Sequence, residues 1–388
     1  MSTTKTFLID FQYFMPTKII FQIESIKKLA SLAINLGGKP CIVTGKQSSK
    51  INGALSYLLD RYSNAVVFDE VEENPTTDTC EKASQICKDN KCDWVIGVGG
   101  GSPVDVSKVV AGLANNDGPC EQYFGKDLFK KMPLPILAIP TTSGTGSEVT
   151  PYAVIVNRKA NAKQTITDFK IFPIIALLDP SLTLTLPKNV TLSTCLDALS
   201  QSMEGIVSKK ATPITDYLAV KSCKLISQWL PIVLDNPDDI NARYWLLYAS
   251  MLSGIVIAQT GTTLVHALGY YYTLNYRIPH GIANALFLIP MFKRNAKWLP
   301  EKVKTIVETI GGIFNDNDPE QSIANVLKYF FEKINFPYYS VYWGVSSDKL
   351  KMFSEDIYKD KYRFRNQYGI FTVEDLYKIF NESWNEMR

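Results

Sequence analysis

The feature that most limits how this chain can fold is an alternation in its first 180 residues. Short runs of β-forming, mostly apolar residues appear at PCIVTG (40–45), AVVFDEV (65–71), CDWVIGV (92–98), PILAIP (135–140) and IIALLD (174–179). Segments of helical spacing lie between them, as at 76–90 and 104–114. Buried strands separated by helices describe βαβ units and a parallel sheet covered on both faces. Such a sheet binds its ligands beyond the carboxyl ends of the strands. That is where this chain places its glycines, serines and threonines.

Near residue 180 the pattern changes. Strand-like runs largely vanish and apolar residues recur at steps of three and four, as at Leu192, Leu196, Leu199 and Met203. The expected organisation is an α/β domain over 1–182 and an all-helical domain over 183–388, joined near Pro180–Pro187. A chain of 388 residues that is 46% hydrophobic has the apolar material for two cores. Lys plus Arg is 41 and Asp plus Glu is 38, a net charge of +3, so the excess base that a nucleic-acid partner requires is absent. No run reaches the ~20 apolar residues that span a bilayer. The opening MSTTKTFLIDFQYF lacks the pattern of a signal peptide. A soluble, cytoplasmic protein with neither membrane nor nucleic-acid partner is expected. Its seven cysteines, an odd number without a CxxC pair, read as reduced thiols.

Two loops stand out. Gly99-Gly100-Gly101-Ser102-Pro103 follows a strand and opens a helix, where glycine permits a tight turn and close approach of a phosphate to free N–H groups. Alone it reads equally well as an ordinary strand-to-helix turn. The second loop, Pro140 to Thr150, packs hydroxyls and two glycines beyond another strand end. Two such loops after successive buried strands point to nucleotide binding.

The chain has only two histidines, His266 and His280. Asp197 and Gln201 lie four apart, on one face of an expected helix. One carboxylate and two imidazoles make a workable first shell for a catalytic divalent metal, and Gln201 would add a neutral oxygen. On spacing alone the plainer reading, a polar-face Asp and two packed histidines, is favoured. Cys195, beside these residues, reads as a small buried hydrophobe rather than a reactive thiolate.

These segments together resemble the iron-containing (group III) alcohol dehydrogenases over nearly the whole chain. The resemblance runs from FMPTKIIF (14–21) to NQYGIFTVEDLYKI (366–379). GVGGGSPVDVSK (97–108) is similar to the family's pyrophosphate loop, and PTTSGTGSEVT (140–150) to its nicotinamide and ribose loop. LDPSLTLTLP (178–187) resembles its domain junction. LDALSQSMEG (196–205) and HALGYYYTLNYRIPHGIANA (266–285) resemble its metal-binding segments. The resemblance implies a dinucleotide-binding α/β domain followed by a helical metal domain. It implies cofactor contacts from Gly100, Gly101, Ser102, Thr141, Thr142, Thr145 and Lys163, and metal ligation by Asp197, His266 and His280. It also implies a homodimer acting on a small alcohol or aldehyde.

The chain departs from the family pattern in three places. Gln201 stands where the family usually has His, which makes Zn²⁺ a contender beside Fe²⁺. Tyr270 stands where the family often has a proton-relaying His; a tyrosine hydroxyl passes a proton but is no base near neutral pH. The HALGYY…IPHG variant resembles a branch that includes phosphonoacetaldehyde reductases. Gly45 stands where the family often has an Asp that repels a 2′-phosphate, and Lys46, Gln47, Ser48 and Ser49 follow it. This favours NADP over NAD. The expected activity is metal-assisted hydride transfer between a nicotinamide and a small alcohol or aldehyde. The alternatives are a glycerol- or sugar-phosphate dehydrogenase of the same superfamily, and a nucleotide-binding relative that has lost its metal.

Overall fold

The computed structural model describes residues 10–32, 34–160, 162–338 and 344–387. Its strands are β1 Lys18–Phe21, β2 Pro40–Gly45, β3 Val66–Val71, β4 Trp94–Gly99, β5 Gly125–Lys126, β6 Ile136–Pro140, β7 Tyr152–Asn157, β8 Ala162–Thr167 and β9 Ile175–Leu178. Six of them form one sheet in the order β1-β9-β6-β4-β2-β3, with every neighbouring pair parallel. The central strands β4 and β6 are buried at every position, as a sheet covered on both faces requires. The order reverses beside β4, so β2, β4 and β6 end around a crevice open to a ligand.

The five expected runs are all strands of this sheet. The 92–98 run begins later than expected, at Trp94, because Cys92 and Asp93 form the turn into it. Asp93 accepts from the N–H groups of Gly38 and Lys39 at 2.7 and 2.8 Å and so ties that turn to the chain entering β2. β1 and the small sheet β5-β8-β7 were not apparent in the sequence. β7 and β8 pair antiparallel, and β8 carries Lys163.

Helices follow from Lys188 onward, with no strand among the described residues beyond β9. The junction is held by buried polar groups. Asp179 accepts from the N–H groups of Glu24, Ile26 and Ser181 at 2.8–3.0 Å. The buried Arg243 donates to Thr191 Oγ1 at 2.8 Å and to the carbonyl of Pro237 at 2.9 Å. Among the described residues no single helix is long and apolar enough to cross a membrane.

The Lys188–Val207 helix runs through the middle of the helical half. Leu196, Leu199 and Met203 lie in the core as their spacing predicts. The adjoining face, carrying Asp197, Ser200, Gln201 and Glu204, is buried as well. A polar face withdrawn from water must find partners, because each unpaired group costs about 1–3 kcal/mol. Those partners make the site.

Candidate active site

The two loops meet face to face. Gly100 caps the Gly101–Asn115 helix, and a Cβ there would sit 3.3 Å from the side chain of Thr142. At Gly101 a Cβ would fall 2.6 Å from that of Thr145, so the loops approach only because these positions lack side chains. Gly99 turns the chain at φ 142°, where an L-residue is strained, and its carbonyl accepts from the Thr141 N–H at 2.8 Å. Ser102 lies in the first turn of the helix, beside its free N–H groups.

The second loop is fixed from beneath by residues later in the first motif. The fully buried Lys108 donates to Ser147 Oγ at 2.8 Å, Thr150 Oγ1 at 3.2 Å and the carbonyl of Tyr152 at 2.6 Å. Asp105 accepts from Ser147 Oγ at 2.5 Å and from the Val154 N–H at 2.9 Å. Burial pushes the Lys108 amine down to about 8 against the pull of Asp105. The neighbouring Glu148 is pushed up to about 7 by burial. The Thr141 hydroxyl is buried at the end of β6 without a hydrogen-bond partner. A buried orphan hydroxyl at a strand end in the crevice suits a polar ligand atom.

The same loop presses on the helical half. At Gly144 a Cβ would lie 2.6 Å from Thr194 on the Lys188–Val207 helix. At Gly146, with φ 61°, it would lie 2.3 Å from Cα of Gly254 on the Ile240–Thr260 helix. Two facing glycines bring these backbones into contact.

The metal candidates converge one turn further along. The donor atoms of Asp197, His266 and His280 all lie within 4.8 Å of one another. His266 Nε2 is 3.2 Å and His280 Nε2 is 3.8 Å from Asp197 Oδ1. Pro279 caps the short His280–Ala285 helix. Gly281 packs it onto the Lys188–Val207 helix so closely that a Cβ would overlap the Ser193 carbonyl at 1.7 Å. That contact presents His280 to Asp197.

Glu204 and Asn284, which the sequence reading passed over, hold the triad in place. Glu204 has no exposed surface. One of its oxygens contacts His266 Nδ1, and the other accepts from the Thr263 N–H and hydroxyl, both at 2.8 Å. A carboxylate on Nδ1 fixes the ring and leaves Nε2 to face Asp197. Asn284 donates to Asp197 Oδ1 at 3.1 Å, while its own carbonyl is buried without a partner. Glu204 lies seven residues after Asp197, two helical turns along the same face. That spacing was the signal available for it.

Charge follows this arrangement. Burial disfavours a charged His266, but Glu204 and Asp197 outweigh it and raise the imidazole to about 10. Burial dominates at His280 and lowers it to about 3. Burial also opposes ionisation of Asp197, yet the two imidazoles and Asn284 hold its carboxyl below the usual range. An ionised carboxylate and two imidazoles with converging nitrogens fit a divalent cation.

Gln201 and Tyr270, which stand where the family has histidines, make contacts of their own. Gln201 Oε1 accepts from Ser253 Oγ at 2.9 Å, and Nε2 faces Asp197 Oδ2 at 3.3 Å and the Thr145 carbonyl at 3.4 Å. As placed, its amide links the cofactor loop to the triad and its oxygen is engaged elsewhere. Tyr270 stacks on His280 with ring centroids 4.9 Å apart and planes 15° apart. Lys163 Nζ lies 5.4 Å above the other aromatic contact of that stack, the Tyr270 ring. Burial raises the Tyr270 hydroxyl and lowers the Lys163 amine. Gly45 ends β2, and a Cβ there would meet only ordinary contacts at 3.4 Å and beyond. The sulfur of Cys195 is buried and pushed up to about 12, an inert thiol.

Two family models match the chain. That of the iron-containing alcohol dehydrogenases covers residues 16–180, and that of the family's C-terminal region covers 191–384. The chain belongs to the iron-containing alcohol dehydrogenase family. It is therefore an NAD(P)-linked alcohol oxidoreductase by class. It is 30% identical over 366 residues to the 1,3-propanediol dehydrogenase of Klebsiella pneumoniae, covering 92% of this chain and 94% of that one. It is 30% identical to the NADPH-dependent butanol dehydrogenase of Clostridium saccharobutylicum, covering 88% of each. The crystal structure of sulfoacetaldehyde reductase from Bifidobacterium kashiwanohense in complex with NAD⁺ superposes with a TM-score of 0.85 at 28% identity, covering 97% of this chain and 99% of that one.

Proposed function

We propose that this dehydrogenase reduces small aldehydes, and oxidises the corresponding alcohols, with NADPH preferred over NADH and one divalent ion held by Asp197, His266 and His280. The observation that carries this reading is the convergence of those three donors within 4.8 Å, one amide away from the Thr145 carbonyl of the hydroxyl-rich loop. Domains over 1–182 and 183–388 would then enclose the substrate between them, in a homodimer.

Bound there, the divalent ion, Fe²⁺ or Zn²⁺, supplies Lewis acidity to a carbonyl or alcohol oxygen. The protein's own residues do the rest. The N–H groups opening the Gly101–Asn115 helix, with Ser102, receive the pyrophosphate. Thr141, Thr142 and Thr145 offer hydroxyls to the nucleotide, and Lys163 reaches towards it from β8. Glu204 keeps His266 oriented, and Asn284 keeps Asp197 oriented. Tyr270 walls the site above His280 and excludes water. With its hydroxyl raised by burial it donates a hydrogen bond rather than accepting a proton. Both histidines of the chain stand in the donor triad, so no imidazole is left to shuttle protons. Protons reach the substrate oxygen through solvent, the ribose hydroxyls or the Tyr270 hydroxyl.

Cofactor choice is supported by Gly45. A Cβ there would meet only ordinary contacts, and the chain carries no carboxylate at that position. Kinetic titration of NADPH and NADH, on protein assayed for bound metal and presented with a panel of small aldehydes, tests the whole reading. A large preference for NADH would refute the cofactor assignment. Protein that neither retains nor is activated by Fe²⁺ or Zn²⁺ would refute the metal assignment.

A further inference from the structure

Five of the seven cysteines belong to the first 182 residues, and three of them meet. Cys41 is the second residue of β2, Cys87 lies in the last turn of the Thr77–Asp89 helix, and Cys92 follows that helix at the entry to β4. Their sulfurs all lie within 4.8 Å of one another. The local chain path explains this. Lys91 adopts a left-handed conformation at φ 54°, and the Cys92 N–H donates to the Cys87 carbonyl at 3.0 Å. This closes the helix end so that Cys87 and Cys92 return to the same place. Pairing of β2 with β4 brings Cys41 opposite Val95 and thus beside them. The cluster sits at the start of β2, at the far end of the strand from Gly45 and the cofactor crevice.

We propose that Cys41, Cys87 and Cys92 form a three-thiolate site for one soft cation of the Cu⁺, Zn²⁺ or Cd²⁺ kind. Thiolate sulfur selects such ions. With a metal–sulfur bond of about 2.3 Å, three sulfurs in a trigonal plane stand about 4 Å apart, which is small side-chain movement from the observed spacing. Lys39 and Lys88 flank the group, and their charges favour the thiolates of Cys92 and Cys87. The hydrogen bond to Cys41 and burial raise Cys87 strongly, and burial raises Cys92 to about 11, so these two thiols carry their protons until an ion arrives. Binding breaks up to three S–H bonds, releases the protons to solvent and forms the metal–sulfur bonds, with no change of oxidation state.

Access is through Cys92, which is 9% exposed while Cys41 and Cys87 are sealed. Cys80 and Cys120 provide an internal contrast. They also adjoin one another, but both are sealed and no third ligand joins them among the described residues. The sequence did not show the site because its ligands span Cys41 to Cys92, with none of the three pairs in a CxxC spacing.

The test uses the reduced full-length protein under anaerobic conditions, titrated with Cd²⁺. The readout is ultraviolet thiolate-to-cadmium charge transfer, which carboxylate and imidazole ligation at Asp197, His266 and His280 does not produce. The expected result is a band saturating at one equivalent per chain, accompanied by proton release, in both the natural protein and Asp197→Ala. Cys92→Ala and Cys87→Ala should each weaken that binding by at least about tenfold, since each removes one ligand. Cys92→Ala, at the edge of the core, should keep its alcohol dehydrogenase turnover within about twofold, which certifies its fold. Absence of a stoichiometric band would overturn the proposal. So would a band that survives in both variants, or one that is lost only when Cys80 or Cys120 is replaced.

Discussion

The cofactor crevice and the metal triad are adjacent but built of different material. The crevice is made mostly of backbone: Gly99, Gly100 and Gly101 on one side, Gly144 and Gly146 on the other, with hydroxyls between. Its residues come from two short stretches, each continuous in sequence. The triad is made of side chains from three helices, and a second layer, Glu204, Thr263 and Asn284, holds it in position. A backbone site tolerates little added volume. A side-chain site tolerates volume but not the loss of a partner. Each half should therefore fail in its own way.

The largest expected effect is at the triad. Asp197→Ala should reduce turnover to background and abolish tight metal binding, while NADPH still binds. Fluorescence titration of NADPH together with metal analysis checks this, and full activity would end the assignment of Asp197. Glu204→Gln keeps the shape but weakens the hold on His266 Nδ1. Metal affinity should fall about 10–100-fold, the range seen when such supporting carboxylates are removed. A competition assay with a chelator measures it.

Gly101→Ala turns to the crevice. The new methyl meets Thr145 at 2.6 Å, so one of the two must shift. The dissociation constant for NADPH should rise about tenfold, equivalent to roughly 1.4 kcal/mol, with metal affinity unchanged. If metal affinity fell equally, the two regions would be one cooperative unit and the distinction would dissolve.

Glu148→Gln should change turnover least of the four, and its effect is read in stability. Burial raises Glu148 from 4.5 to about 7, so the folded protein holds its proton more tightly than the unfolded chain. The cost is absent below the unfolded value, grows as pH rises from 4.5 to 7, and is complete above that. Urea denaturation at pH 8 should show the Gln variant more stable by about 1–3 kcal/mol, with the gain vanishing near pH 4.5. A constant difference across that range would mean that Glu148 is not the titrating group.

The same contrast in materials decided what was legible in the sequence. The glycine and hydroxyl loops announce themselves because a backbone site must be written locally. The parallel sheet was legible because β4 and β6 are apolar at every position. β7 was passed over although its sequence, YAVIVN, is rich in β-forming residues and its half-buried positions alternate with buried ones. The triad was only a candidate from spacing, because Asp197 and His280 are 83 residues apart and only the fold joins them. Glu204 was missed although it lies two turns from Asp197 on the same helix. A lone carboxylate reads as a surface residue until its burial is known. Lys108 and Asp105 were passed over because their partners, Ser147, Thr150 and Val154, are 39 to 49 residues away.

The glycine-on-glycine contact between residues 146 and 254 has a mechanical consequence. By connectivity the 140–150 loop is an extension of β6. By touch it is a part of the helical half, wedged against Thr194, Gln201 and Gly254. A dinucleotide entering the crevice meets a seam already closed on that side. The margin left to it is the opposite one, where β2 ends at Gly45 and β4 at Gly99.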